Sequence, residues 1–402
     1  MIQISPETQL FIREHSSDDV RALALQAKKY PDIDMPTAIT QIAGRQVAAE
    51  KIPSWREIEE IWYPKHLSLE QCSSEITARY KARLFQGDSL TDLTGGFGID
   101  CSFLAAGFKS ATYVERQEEL CEIAAHNFPI LNLNHINVRN EDGVAYLQSM
   151  SPIDCIFLDP ARRNEHGGKT VAISDCEPDV AELEELLLSK ANRVMIKLSP
   201  MLDLSLALKE LKHTQEVHIL SVNNECKELL LLLGQEAPTE QAPPKEIPIH
   251  CVNLFTKGTQ EEQHFIFTRE QEQRSQCTYT ASLGDYLYEP NASLLKAGAF
   301  RSIAAAYSVR KLHPNSHLYT SDTFIENFSG RIFRIVNQCS FNKKEAKENL
   351  ADLKKANVTV RNFPATVAEL RKRLHLTEGG DTYLFASTLN NGQKVIIRCE
   401  KV

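Results

Sequence analysis

Asp92-Leu-Thr-Gly-Gly-Phe-Gly98 sets one carboxylate beside a run of small residues. Such a loop, here Thr94, Gly95, Gly96, Phe97 and Gly98, lets the backbone approach a ligand closely, and a helix that follows aims its first N–H groups at it. Glu115 lies 17 residues beyond Gly98, in TYVER, and a carboxylate there suits both hydroxyls of a ribose. Asp142, in VRNEDG, can accept a hydrogen bond from an adenine amino group. Asp159 ends CIFLDPAR and is followed by Pro160; a carboxylate in that place can orient a nucleophile or take its proton. Each acid has a plainer explanation alone: Glu115 as a helix-start acid, Asp142 as a helix N-cap, Asp92 and Asp159-Pro160 as turns. Recurring at four successive strand ends, they describe one pocket.

The elements around them alternate between strand and helix. SLTDLT, SATYVE, INVRNED, DCIFLDPARR, RVMIKLSP and EVHILSVNN read as strands, and DCSFLAAGF and RQEELCEIAAHNFPIL as helices. Repeated βα units predict an α/β fold with a parallel sheet covered on both faces, a Rossmann-like domain over residues 86–235. Ligands of such sheets bind outside the carboxyl ends of the strands. Residues 1–85 lack strand alternation; capped segments with helical spacing, such as SDDVRALALQAKKY and DMPTAITQIAGRQVAAEKI, predict an N-terminal helical domain. EAPTEQAPPKEIP, residues 236–248, reads as a linker. An α+β connecting region follows over 249–330, with a hairpin turning near Lys257-Gly258. Residues 331–402 run βαβαββ, a small ferredoxin-like α+β module whose last hairpin turns at Asn390-Asn391-Gly392.

The 402 residues are 42% hydrophobic and 24% charged, an ordinary globular balance. No apolar run reaches the roughly 18 residues of a membrane span, and the acidic N-terminus does not read as a signal peptide, so a cytoplasmic protein is expected. The 10 cysteines are scattered singly without a CxxC pair. Buried, reduced thiols are expected, and no structural metal. The net charge of −8 hides an asymmetry: residues 331–402 hold 14 Lys+Arg against 7 Asp+Glu, or +7, which leaves −15 elsewhere. A basic module of this kind fits contact with nucleic acid or a solvated face equally well.

The four acidic segments resemble the motifs of class I S-adenosylmethionine-dependent methyltransferases: DLTGGFG motif I, Glu115 motif II, Asp142 motif III and DPAR motif IV. EQCSSEITARYKARL just before motif I, with DPARR, KLSPMLD and the late ELRKRLHLTEGGDTYLFAST, more narrowly resembles bacterial methyltransferases with a C-terminal THUMP-like domain. The likeness runs from about residue 70 to the end. It implies that Thr94–Gly98 contact the methionine part of S-adenosylmethionine, Glu115 the ribose and Asp142 the adenine, with Asp92 beside them, Asp159 and Pro160 facing the transferred methyl, and Gln71 and Ser74 helping to close the pocket. A THUMP-like module implies an RNA substrate.

Methyl transfer from a sulfonium is an in-line displacement that depends on alignment. Enzymes that methylate base amines carry Asn/Asp-Pro-Pro-Tyr or -Phe; this chain departs with Ala161 and Arg162, which argues against adenine or cytosine amines. Pyrimidine C5 chemistry needs a cysteine at a strand end, and KLSPML has none. Arg162 and Arg163 can stack on a base or hold a phosphate, and Lys197 and Ser199 at the fifth strand end can border the acceptor. Two further readings stand beside an RNA methyltransferase. One is a non-catalytic binding protein, against which the intact acids argue. The other is a nicotinamide-dependent oxidoreductase, weakened because GGFGIDC lacks the third glycine of GxGxxG. A protein or small-molecule acceptor is a further alternative.

Overall fold

Short polar side chains start the first helices. Ser5, Asp19 and Asp34 accept bonds from the backbone N–H of Thr8, Arg21 and Thr37, which opens α1 (Pro6–Glu14), α2 (Val20–Leu25) and α3 (Met35–Lys51). α4 (Pro53–Arg56), α5 (His66–Gln71) and α6 (Glu75–Leu84) complete a helical leader. The computed structural model describes residues 4–162, 172–235 and 246–402. They fall into two compact units, Met1–Glu216 with Leu229–Pro243, and Val217–Glu228 with Pro244–Val402. Among the described residues no helix is long and apolar enough to cross a membrane.

In the first unit the strands are β1 (Gly87–Asp92), β2 (Phe108–Glu115), β3 (Ile136–Asn140), β4 (Ile153–Leu158), the short β5 (Ala161–Arg162) and β6 (Cys176–Glu177), and β7 (Ala191–Leu198). β4, β1, β2 and β3 lie side by side, with β7 next to β4, and all these pairs are parallel. The crossovers carry α7 (Ile99–Ala105), α8 (Glu118–Ile130), α9 (Gly143–Ser149) and α10 (Val180–Lys190). β4 and β7 are buried through their C-terminal halves, as an unbroken apolar run requires when a sheet is covered on both faces. After α11 (Leu204–Glu210) and β8 (Thr214–Val222) comes β9 (Glu225–Gly234), which pairs antiparallel with β7. The sequence reading has no strand there. The leader joins this fold: Trp55, Tyr63 and Leu69 share a cluster with Phe97, Ile99 and Ile123, whereas Phe11, Leu23 and Ile42 form one of their own.

In the second unit β8 pairs parallel with β10 (Ile249–Leu254), which pairs antiparallel with β11 (Glu262–Phe267), the expected hairpin. After the helix Arg269–Arg274, the chain contributes β12 (Tyr286–Pro290), β13 (Arg310–Lys311), β14 (Tyr319–Ser321), β15 (Gly330–Ser340), β16 (Asn357–Arg361), β17 (Thr382–Thr388) and β18 (Lys394–Lys401). They form one sheet in the order β13-β14-β12-β15-β18-β17-β16. The expected βαβαββ order is present, with helices Lys343–Leu350 and Val367–Leu374. The sheet runs across residue 330, because Tyr286–Pro290 of β12 pairs with Gly330–Arg334 of β15. Buried Glu289 fastens that join through ion pairs to Arg331 and, at 3.0 Å, Arg361. Seven of the cysteines are buried, while Cys72, Cys226 and Cys277 are half-buried.

Candidate active site

The loop after β1 is shaped by close packing. A Cβ on Gly95 would stand 2.3 Å from the Tyr113 ring, and Gly96 has φ +55°. A Cβ on Gly96 would meet nothing nearer than the Thr94 carbonyl at 3.7 Å, so close packing does not demand a glycine there as it does at Gly95. Phe97 turns its ring into the core, 5.3 Å from Trp55 between centroids. Gly98 caps α7, and its own N–H donates to the Gly95 carbonyl.

The acids of the first, second and fourth strand ends are tied to this loop. Asp92 Oδ1 accepts from the Thr94 N–H at 3.0 Å, and Thr94 Oγ1 in turn accepts from the Asp159 N–H at 2.6 Å. Glu115 accepts from the N–H of Gly96 at 2.9 Å and of Gln117 at 2.8 Å. Because β4, β1 and β2 are adjacent and parallel, their C-terminal ends present these carboxylates along one edge. Asp142 stands two residues past β3, exposed, and Oδ1 caps α9 by accepting from Val144 and Ala145. Burial, with the charges of Asp100, Asp159 and Glu115 behind it, pushes Asp92 up to about 8. A cation beside Asp92 would relieve this crowding of negative charge. Glu115 sits next along the edge, at the end of β2.

At the end of β4, Asp159 meets a buried chain of charges. Lys197, on β7, lies 2.6 Å from Asp159 and 3.4 Å from Asp100, the second residue of α7. Lys81, fully buried on α6, lies 2.9 Å from Asp100 on the other side. Ser73 Oγ donates to Asp100 at 2.7 Å and accepts from Lys81 at 2.9 Å and Lys197 at 3.0 Å. Burial alone would raise Asp100, but the two ammonium groups outweigh it and hold the carboxyl well below its ordinary range. The packed protein around Asp159 pushes its carboxyl up against the pull of Lys197. Its side chain keeps 36% of its surface open, so an acceptor can reach it.

The expected residues divide accordingly. Asp92, Thr94, Gly95, Gly96, Glu115, Asp159 and Lys197 are brought together, with Pro160 buried behind Asp159. Gln71 is exposed at the end of α5, and Ser74 Oγ pairs with Thr77 at 3.2 Å. It is their neighbour Ser73 that enters the charge chain. Ser199 Oγ accepts from the Met201 N–H at 3.3 Å. Of Arg162 only the backbone, in β5, is described, and Arg163 lies outside the described residues, as do residues 236–245 of the linker. Ser73, Lys81 and Asp100 were missed. Lys81 had one signal: it continues the stripe of Thr77 and Ala78 that α6 buries, a place where lysine is rare.

Comparison with known proteins bears on the family and the fold. A ferredoxin-like domain model matches residues 286–328, and a THUMP-domain-like model matches 330–401. A structure from Porphyromonas gingivalis W83, assigned as a methyltransferase, is 35% identical, covers 100% of both chains and superposes with a TM-score of 0.87. Smaller matches include an rRNA methylase from Streptococcus thermophilus (14% identity, 40% of this chain and 93% of that one, TM-score 0.29). Another is a Streptococcus mutans protein assigned as a methyltransferase, in complex with S-adenosylhomocysteine (15%, 40% and 96%, TM-score 0.30). No curated protein matches the chain.

Proposed function

The chain belongs to the bacterial family of class I methyltransferases with C-terminal ferredoxin-like and THUMP-like domains, and from that premise we propose that it methylates RNA with S-adenosylmethionine. The observation that carries the reading is the edge of carboxylates, Asp159, Asp92 and Glu115, at the C-terminal ends of three adjacent parallel strands. Glu115 takes the ribose hydroxyls, Gly96 leaves space above the loop, and Asp92 offsets positive charge. Asp142, at the end of the fourth strand along, takes the adenine amino group through its capping carboxylate. S-adenosylmethionine supplies an electrophilic methyl group on a sulfonium. Asp159, with Pro160 fixing its backbone, holds the acceptor in line, and that alignment is the main demand of the reaction.

Two features support an RNA acceptor. The THUMP-like match spans the segment that carries +7, and the exposed Lys354, Lys355 and Lys372 lie within it. Such lysines bind phosphate without reading sequence. The test is calorimetry and a transfer assay on the whole protein. S-adenosylmethionine should bind and NAD should not. Asp159→Ala should keep cofactor affinity and lose transfer to total RNA. A triple change of Lys354, Lys355 and Lys372 to glutamate should weaken RNA binding and flatten its salt dependence. Preference for NAD would overturn the assignment, and unchanged RNA affinity in the triple variant would remove the module from RNA holding.

A further inference from the structure

Resting on the reading above, we infer that the methyl acceptor is a hydroxyl oxygen, in RNA the ribose 2′-OH, activated between Asp159 and the Lys197 ammonium. The two kinds of acceptor make opposite electrostatic demands. An amine that attacks a sulfonium methyl takes positive charge onto its nitrogen as the bond forms. A hydroxyl must shed its proton, and its oxygen is negative or neutral through the reaction. A fixed cation at the reacting atoms opposes the first and favours the second.

The site holds such a cation firmly. Lys197 is buried, 2.6 Å from Asp159. Asp100 and Ser73 hold its ammonium from behind, at 3.4 and 3.0 Å. Lys81 lies on the other side of Asp100, 2.9 Å from it. Held by Asp100 and Ser73, the Lys197 ammonium is directed at the Asp159 carboxylate, where an acceptor has to bind. A site for a base amine would place uncharged acceptors there instead, because a developing ammonium beside Lys197 would be repelled.

In the step, the hydroxyl O–H breaks and its proton passes to the Asp159 carboxylate. The oxygen forms its bond to the methyl as the S–CH3 bond breaks, and that electron pair stays on sulfur as the neutral thioether. Asp159 then gives the proton to water. The raised basicity of Asp159 suits it to the role, and Lys197 limits how far the oxygen's charge must be carried alone. Lys81, Asp100 and Ser73 are positioning residues that act through Lys197.

The test is product identity together with a binding ratio. The whole protein is incubated with methyl-tritiated S-adenosylmethionine and total RNA from cells lacking it, and the RNA is digested to nucleosides. Label in 2′-O-methylnucleosides, resistant to alkaline cleavage before digestion, is expected. Label in a base-methylated nucleoside would overturn the hydroxyl inference and leave the RNA methyltransferase reading standing. Absence of label in RNA, with S-adenosylmethionine bound, would overturn both the RNA reading and this inference. A second readout needs no turnover. Lys197→Met should bind sinefungin, which carries an amine where the sulfonium methyl lies, several-fold more tightly relative to S-adenosylhomocysteine than the wild type does. An unchanged ratio would show that Lys197 does not act at the methyl position, and would overturn the inference. In Lys81→Met, a smaller shift of the same ratio would distinguish positioning from mere loss of packing.

Discussion

Raising the pH should tighten cofactor binding, and Asp92 sets how steeply. Burial and the neighbouring carboxylates push Asp92 up to about 8 in the ligand-free protein. A cationic ligand needs the carboxylate, so below that pH the protein must release a proton to bind. About 1% of Asp92 is ionised at pH 6 and about half at pH 8, so the dissociation constant should fall about fifty-fold between them. Calorimetry with S-adenosylmethionine in two buffers of different ionisation enthalpy reads both the constant and the proton, which should approach one released per site near pH 6. In Asp92→Asn the dependence should disappear. For the free protein the sign runs the other way. A carboxyl raised on folding contributes stability at pH values below its ordinary range, and that contribution is lost as pH rises through about 8. The melting temperature of Asp92→Asn should therefore gain on the wild type as pH climbs from 5 to 8. Wild-type affinity that stays flat over pH 6 to 8, or a slope equal to that of Asp92→Asn, would refute the reasoning.

Other expectations concern packing and the buried charges. Lys81→Met should destabilise the fold by roughly 3–5 kcal/mol, because it strips one of two cations from buried Asp100; chemical denaturation of Lys81→Met beside the Lys81→Met/Asp100→Asn double variant, which should be less affected, reads this. Gly95→Ala should cost about 1–3 kcal/mol, because its Cβ would enter the Tyr113 ring, and a thermal melt checks it. Glu289→Gln should cost roughly 1–3 kcal/mol and loosen amide protection in β12 and β15, since it removes the charge that binds Arg331 and Arg361 across the join.

The glycine loop and its acids were legible because each is local: a small-residue turn or a carboxylate directly after a strand is visible in a few residues. The parallel strands were legible for the same reason, as apolar runs bounded by turns. β9 was not. Its ECKELLLLLG lacks period-2 alternation, and only its distant pairing with β7, Leu198 with Leu229 through Arg193 with Gly234, makes it a strand. The sheet that crosses residue 330, with β15 paired to both β12 and β18, was hidden in a similar way. The charge chain was the largest omission. It gathers Ser73, Lys81, Asp100, Asp159 and Lys197 from five separate segments, and a lysine on a helix looks solvated until the fold buries it. Lys197 itself was singled out only from its strand-end position, whereas its carboxylate partners emerge from tertiary packing.

The most direct test of the shared pocket is a crystal structure of the whole protein grown with S-adenosylhomocysteine. Density for the ribose on Glu115, for the adenine by Asp142, and for the sulfur facing Asp159 and Lys197 across the space an acceptor needs is the predicted result. Ligand density away from the loop 94–98, or an adenosyl group whose sulfur points away from Asp159, would contradict it.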